Sequence, residues 1–249
     1  SENIHCDRCL TFENNDRPTE YAHKSLVAVL VHPNVPEVIP LWCEEIRNSD
    51  GTTKQDCEVN AAKRLLPALV KKYPHLDMVI VGDGLYSKTP MMELCRSLNL
   101  DYLFVAKPTD HKSLEEDLQG LRTIDEVNSD DTVDENGIEH HYEYIESIPI
   151  FQGSLIESNW LSYLAKPGPT AKKKKAAYKN SWVTSLKLKS ESVPDVASGG
   201  RSRWKIENET FNALKRHGYH MEHNYGHGEN NLPANLIALN LMAFLIHQI

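Results

Sequence analysis

Two acidic residues in this sequence have neighbours that are typical of functional sites, and the first of them is Asp83. It follows the apolar run of residues 78–81 and lies between Gly82 and Gly84. In open α/β sheets, ligands bind at the carboxyl ends of the strands, so a carboxylate at this point is a candidate for chemistry. Asp between two glycines is also a common turn former. The pattern alone supports both interpretations equally.

The second acidic residue is Glu207, in the run RWKIENETFNALKRHG at 203–218, which has a helical composition. Helical residues four apart share one side, so Arg203 and Glu207 align, whereas Glu209 points about 200° away from Glu207. Glu207 and Glu209 therefore cannot serve one site together. Arg203 could hold the Glu207 carboxylate or take a phosphate, whereas Glu209 could balance nearby Lys and Arg residues on the outside. The alternative is an exposed helix whose acidic residues favour its positive N-terminal end.

The charge of the chain is segregated. The net charge is −8, but residues 108–150 hold 13 acidic and 2 basic residues, while residues 164–216 hold 13 basic and 4 acidic ones. A local basic surface can bind phosphates on an acidic protein, because salt screens repulsion beyond about 8 Å. Charged runs are more often simply solvated, and the four lysines at 172–175 indicate a loop that touches phosphate only transiently.

The elements around these residues predict an α/β fold. Two β-rich runs at 23–33 and 38–46 form a hairpin, and a helix, a strand ending at Asp83, a second helix and the strand DYLFVAK follow. Apolar strands that alternate with helices indicate a sheet covered on both faces. We divide the chain into a core (1–107), a β-rich insertion (108–198) and closing helices (199–249). We expect a cytoplasmic protein, because no secretory signal is visible.

The segments VIVGDGLYS and RWKIENETFNALK resemble the second Asp and the final Glu of the DDE transposases of bacterial insertion sequences, in the IS-four-like branch. The resemblance implies an RNase H-like mixed sheet flanked by helices, with a β-rich insertion between Asp83 and Glu207. It further implies metal-dependent cleavage and strand transfer of DNA. Asp83 and Glu207 would then be the catalytic, metal-binding carboxylates for Mg²⁺ or Mn²⁺, with two ions in an intact site.

Three departures from the family pattern stand out. Gly200 occupies the place of a Tyr, and Leu214 that of a Lys, with Lys215 one position later and rotated by about 100°. The first Asp of the triad has no convincing counterpart, and we expect this sequence to begin just after it. Asp83 and Glu207 would then hold metal weakly and cleavage would be impaired. The alternatives are an inactive, transposase-derived DNA-binding protein and a metal-dependent nuclease on the same fold.

The resemblance also implies partners. These are the terminal inverted repeats of an element, the target DNA, and a second copy of the chain in a homodimer. Trp160, Tyr178 and Trp182 are candidates to stack on a distorted base, although such residues more often lie in the core. The predicted DNA-binding residues are Arg201, Arg203, Lys205, Lys215, Arg216 and Trp182.

Cysteine and histidine clusters form a third group of candidates. Cys6 and Cys9 make a CxxC motif, but a structural zinc site usually needs a second pair, and the other three cysteines are isolated. A run with four histidines, His217 to His227, follows the Glu207 helix, yet its glycines leave a common face unassured. The sequence leaves open whether either cluster binds metal, and a zinc-bound regulatory protein is a further alternative.

Overall fold

The computed structural model describes residues 2, 5–14, 16–47, 55–151, 156–171, 177–223, 226–228 and 231–248. The chain forms two compact units. The first consists of Ser1–Leu76 and Trp204–Ile249, and the second of Asp77–Arg203. The division into 1–107, 108–198 and 199–249 stays a prediction.

The first unit contains two antiparallel hairpins and several helices. Strands β1 (Leu10–Asn14) and β2 (Arg17–Ala22) form one hairpin, and β3 (Lys24–His32) and β4 (Val35–Ile46) form the other. The second is the predicted hairpin, turning at Pro33 and Asn34. Helix α1 (Glu58–Lys72) follows, and Pro67 does not end it.

The closing part of this unit is helical. It contains a π-helical segment (Ile206–Phe211), helix α5 (Asn212–Arg216) and helix α6 (Leu232–Gln248). These elements pack on β3 and β4, in a cluster formed by Val27, Val38, Leu214, Leu241 and Phe244. Helix α6 packs on the hairpin through Leu241 and Phe244, whereas Leu239, Met242 and Ile246 on the same helix are exposed. The predicted buried helix is therefore buried on one side only. Among the described residues, no helix has both the length and the apolarity needed to span a bilayer.

The second unit is a mixed α/β structure. Its elements are β5 (Val79–Gly82), α2 (Thr89–Ser97), β6 (Asp101–Val105), α3 (Lys112–Thr123), β7 (Asn128–Val133), β8 (Ile138–Pro149), β9 (Glu157–Pro167), β10 (Tyr178–Thr184) and α4 (Val193–Arg201). The strands form one six-stranded sheet in the order β5-β6-β10-β9-β8-β7. Strands β5 and β6 run parallel, and the other neighbours are antiparallel.

The predicted β-rich region contains strands β7 to β10, but it does not form a sheet of its own. Strand β10 pairs with β6, with Trp182 opposite Val105, and so continues the sheet that begins at β5. The region also contains helix α3, which the prediction missed. Its apolar residues Leu114 and Leu118 are four apart and buried, but charged neighbours obscure the pattern. The alternating pattern revealed the strands but not which strands they pair with.

Candidate functional site

Asp83 begins a tight turn directly after β5. Its Oδ1 accepts a hydrogen bond of 2.8 Å from the Leu85 N–H, and its carbonyl accepts one of 3.1 Å from the Tyr86 N–H. The side chain is exposed. A bond from the backbone two residues ahead is the Asx-turn geometry, which holds the carboxylate in one orientation. Asp83 therefore fits both interpretations: it forms the turn, and it also presents its carboxylate at the end of a strand.

Two residues that the sequence reasoning missed lie beside this turn. A Cβ atom on Gly84 would be 3.5 Å from Asp110 Oδ2 and 3.7 Å from the Cδ and Cε of Lys107. Both side chains come from the segment after β6, whose carboxyl end lies beside that of its parallel neighbour β5. The signal was available: AKPTD follows an apolar strand, just as GDG does. The edge thus combines carboxylates with a cation.

Two buried polar residues, Ser87 and His111, stabilise the turn by hydrogen bonds. Ser87 Oγ donates to the Gly84 carbonyl (2.9 Å), and His111 Nε2 lies 2.9 Å from the same Oγ. Since the Ser87 proton goes to the carbonyl, His111 donates to Ser87 through Nε2. Burial lowers the pKa of His111, with a further contribution from Lys88. Nothing in the sequence pattern singles out either residue of the pair.

Glu207 lies in the first unit, on the π-helical segment. The Asn212 N–H bonds to the Glu207 carbonyl, five residues back instead of four. The prediction of a regular α-helix is therefore wrong here, and the four-residue spacing used to align side chains does not hold through this turn. The Glu207 and Glu209 side chains are both exposed. π-Helical turns inside helices occur frequently at functional sites.

The π turn accounts for the shifted lysine. A π turn holds one more residue than an α turn, so it displaces all later residues by one position. Lys215, eight residues after Glu207, takes the direction that the seventh residue would have in an uninterrupted α-helix. Leu214 instead points inward and is fully buried. Leu214 is therefore a core residue, and Lys215 is an exposed cation.

Two of the predicted DNA-binding residues are buried. Lys205 is 6% exposed, and its Nζ donates to the carbonyls of His32 (2.6 Å), Pro33 (3.2 Å) and Val35 (2.6 Å). An ammonium group has three donors, and all three are used on the β3–β4 turn. Lys205 is thus an anchor of the hairpin, and its assignment as a phosphate contact is corrected.

Trp182 is fully buried, so its indole offers no face to a base. It packs against Gly200, where an added Cβ would lie only 2.6 Å from the ring. The assignment of Trp182 to DNA is corrected for this reason, and Trp160 is buried in the same way. The close approach also explains Gly200, since the indole fills the space that a tyrosine would need.

The other predicted cations lie at the surface. The Arg201 guanidinium stacks over Tyr178, 4.7 Å from the ring centre, and also approaches Tyr163. Lys215 is exposed and pairs with Glu222 at 2.7 Å. Arg216 is exposed, and Arg203 is half-buried. The lysine run at 172–175 lies outside the described residues.

The cysteine motif has partners that the sequence did not reveal. Cys6, Cys9, His23 and His227 place one donor atom each within 4.8 Å of one another. His227 belongs to the predicted histidine cluster, whereas the exposed His217, His220 and His223 are not part of this group. His23 was missed, because it stands alone between two strands.

Comparison with known proteins identifies the family of this chain. A family model described as the transposase DDE domain matches residues 52–245, which is well over half of the chain and includes both Asp83 and Glu207. No curated protein sequence matches significantly. The mixed six-stranded sheet with its helices fits a fold of this kind. The chain therefore belongs to the family of proteins that carry a transposase DDE domain.

Proposed function

We propose that this chain acts on DNA as a transposase of an insertion sequence of the IS-four-like branch, by metal-dependent phosphodiester cleavage and strand transfer. The family match over residues 52–245 carries the proposal. The parallel β5–β6 pair, joined to an antiparallel strand, supports an RNase H-like arrangement in the second unit. The terminal inverted repeats, the target DNA and a second copy of the chain are the proposed partners.

Asp83 and Glu207 are the proposed metal ligands. Both side chains are exposed, and carboxylate oxygens are the hard ligands that Mg²⁺ and Mn²⁺ prefer. The metal ions would activate the attacking hydroxyl and stabilise the leaving oxygen. Asp83 contributes a carboxylate already oriented by the Leu85 N–H, so no change in the turn is needed to present it.

A third carboxylate of the triad is not assigned. Asp7 lies in the turn between the two cysteines and Asp16 in the turn between β1 and β2, and both are exposed. Neither follows a buried strand as Asp83 does. We therefore expect weak cleavage by the residues present, and metal binding is the more sensitive measurement.

The proposed phosphate contacts are the surface cations Arg201, Arg203, Lys215 and Arg216. Lys215 is supported by the register shift of the π turn, which gives it the direction of the lysine in the family pattern. Its exposed ion pair with Glu222 is no obstacle, because such pairs contribute only about 0–1 kcal/mol and exchange readily.

The experiment is cleavage and joining of labelled DNA carrying the element's ends, with Mg²⁺ or Mn²⁺. We expect a slow activity that Asp83→Asn and Glu207→Gln abolish, while Glu209→Gln, a matched substitution two residues away, retains it. Activity that survives both of the first two changes contradicts the proposal. Cleavage without joining identifies a nuclease, and metal-independent DNA binding without cleavage identifies an inactive binding protein.

A further inference from the structure

The first unit contains a compact group of two thiols and two imidazoles. The Sγ atoms of Cys6 and Cys9 are 3.7 Å apart. His23 Nε2 lies 3.4 Å from Cys6 Sγ and 3.6 Å from Cys9 Sγ, and His227 Nδ1 lies 2.9 Å from Cys9 Sγ. The residues come from three separate parts of the chain, so local sequence does not explain their convergence.

Three of the four distances between these donor atoms match the edges of a metal-centred tetrahedron. With zinc bonds of about 2.3 Å to sulfur and 2.05 Å to nitrogen, a tetrahedron has edges of about 3.8 Å between sulfurs and 3.6 Å between sulfur and nitrogen. Three of the four distances are within about 0.2 Å of these values. The fourth, from Cys9 to His227, is about 0.7 Å shorter than such an edge, so the His227 ring would have to move outward by about that distance.

The backbone conformation on both sides of the group brings the cysteines and His227 together. The Cys9 N–H bonds to the Cys6 carbonyl (3.0 Å), and the Cys6 N–H donates to Cys9 Sγ (3.3 Å), which closes a tight loop. His227 stands between Gly226 and Gly228, both with positive φ, at +86° and +56°. Glycine adopts this conformation without strain, so the loop can turn the ring toward Cys9.

Glu45 provides the support that metal-binding histidines usually have. Its Oε1 lies 3.2 Å from His23 Nδ1, on the opposite side of the ring from the thiols. The Nδ1–H donates to this carboxylate, which leaves the Nε2 lone pair directed at the cysteines. A carboxylate behind a ligating histidine fixes the tautomer and raises the basicity of the ligand.

We propose that Cys6, Cys9, His23 and His227 form a structural zinc site. Two thiolates and two neutral imidazoles balance the charge of Zn²⁺, so the complex is neutral and suits a group in which Cys9 and His227 are buried. Thiolates select zinc over the Mg²⁺ or Mn²⁺ proposed for Asp83 and Glu207. Four protein ligands leave no open position, which makes the role structural.

The zinc ion would join distant parts of the first unit. Cys9 and His227 are 218 residues apart in sequence, and His227 lies between α5 and α6. The ion ties the loop before β1 to the turn that follows the Glu207 helix. A cross-link that closes a long loop restricts the unfolded chain more than one that closes a short loop.

The test is the metal content and thermal stability of the full 249-residue chain, purified without a histidine tag and under reducing conditions. We expect one zinc ion per chain by mass spectrometry of the metals. Replacement by Co²⁺ should give the thiolate charge-transfer absorption and the intense d–d bands of a tetrahedral site. Removal of the ion by a chelator should lower Tm, and zinc should restore it.

Matched variants separate this group from other cysteines and acids. Cys9→Ser should lose the zinc, whereas Cys57→Ser, at an exposed cysteine outside the group, should keep it. Glu45→Gln should weaken zinc affinity by about 10- to 100-fold. Glu44→Gln should have no such effect, because Glu44 pairs with Arg64 instead. The Glu45 variant retains all four ligands, so it tests the site even where Cys9→Ser fails to fold.

Several results would overturn the zinc site. These are a reduced chain that contains no zinc after refolding with the metal, a Tm that chelation does not change, and a disulfide between Cys6 and Cys9 under reducing conditions. None of them bears on Asp83 or Glu207. The zinc inference therefore stands or falls separately from the proposed transposase activity.

Discussion

At the scale of single residues, packing explains why Gly200 carries no side chain. The Trp182 ring lies against its Cα, and the indole is fully buried in a cluster with Tyr142, Leu161 and Tyr163. Any larger residue must displace the ring. A departure from the family pattern that looked like a lost contact is thus part of the core.

Gly200→Ala should destabilise the protein by about 1–3 kcal/mol, because an overpacked core forces side chains out of their preferred rotamers. Urea unfolding measures the change. Gly120→Ala is the control: it also lies in a helix, but its added Cβ meets no atom within 4 Å. That change should be neutral or stabilise by up to about 1 kcal/mol. Equal effects of the two substitutions contradict the packing explanation.

Lys205→Met should lower the free energy of unfolding by about 2–4 kcal/mol, because it leaves carbonyl groups of the β3–β4 turn without their donor. Lys215→Met, at an exposed lysine in the same region, should cost less than about 1 kcal/mol. Thermal or urea unfolding of both variants decides this. A Lys205 variant that is fully stable but binds DNA poorly would contradict the anchor role and support a role of Lys205 in DNA binding.

His111 should make stability depend on pH. Burial holds its pKa below the ordinary value of 6.5, so the unfolded chain takes up a proton that the folded chain does not. The free energy of unfolding should therefore fall as the pH drops below about 6.5, until the folded-state pKa is reached. His111→Gln should reduce this slope, whereas His217→Gln, at an exposed histidine, should leave it. An unchanged slope in the His111 variant contradicts the assignment.

At the scale of elements, the π-helical segment allows one helix to bury Leu214 and to keep Glu207 and Lys215 exposed. Leu214 must be buried against β3 and β4, while Lys215 and Glu207 remain exposed. An uninterrupted α-helix with the same sequence would rotate the later residues by about 100°. The extra residue in the π turn offsets this rotation, so Leu214 is buried and Lys215 is exposed.

Deletion of Asn208 tests this explanation. Removing one exposed residue should convert the π turn into an α turn, and Leu214 should stay buried, so Tm should be retained or rise. Deletion of Lys63 in α1 is the control, because it rotates Leu65, Leu66 and Leu69 out of their buried positions and should unfold the first unit. Equal and severe losses in both deletions would show that the π turn does not act as an insertion.

The sequence predicted elements better than it predicted their partners. Apolar patterns and turn residues predict the β3–β4 hairpin, strands β5 and β6, and a helix at α6. The sharing of one sheet by β6 and β10 does not, because pairing depends on residues that are far apart in the sequence. The same holds for His23 beside the cysteines. Local patterns also cannot reveal a π turn, which results from packing.

At the scale of the whole molecule, the uneven charge bears on DNA binding. The acidic block covers α3, β7 and β8, where Arg122 pairs with Glu115 and Glu143. The surface cations proposed for DNA lie outside that block. A net charge of −8 is therefore compatible with a nucleic-acid partner.

The double substitution Lys215→Ala and Arg216→Ala should weaken DNA binding without unfolding the protein. Each lost phosphate contact should reduce the slope of log affinity against log salt by about 0.9. Fluorescence anisotropy at several salt concentrations measures that slope. A slope equal to that of the unchanged chain would exclude both residues from the interface.

We propose that Asp83 and Glu207 bind the divalent metal, and the proposed transposase activity depends on this claim. The most direct measurement is Mn²⁺ binding to the full chain, followed by electron paramagnetic resonance, in the unchanged protein and in Asp83→Asn, Glu207→Gln and Glu209→Gln. We predict that the first two substitutions each remove or strongly weaken Mn²⁺ binding and that Glu209→Gln does not. Unchanged Mn²⁺ binding in both Asp83→Asn and Glu207→Gln would contradict the claim.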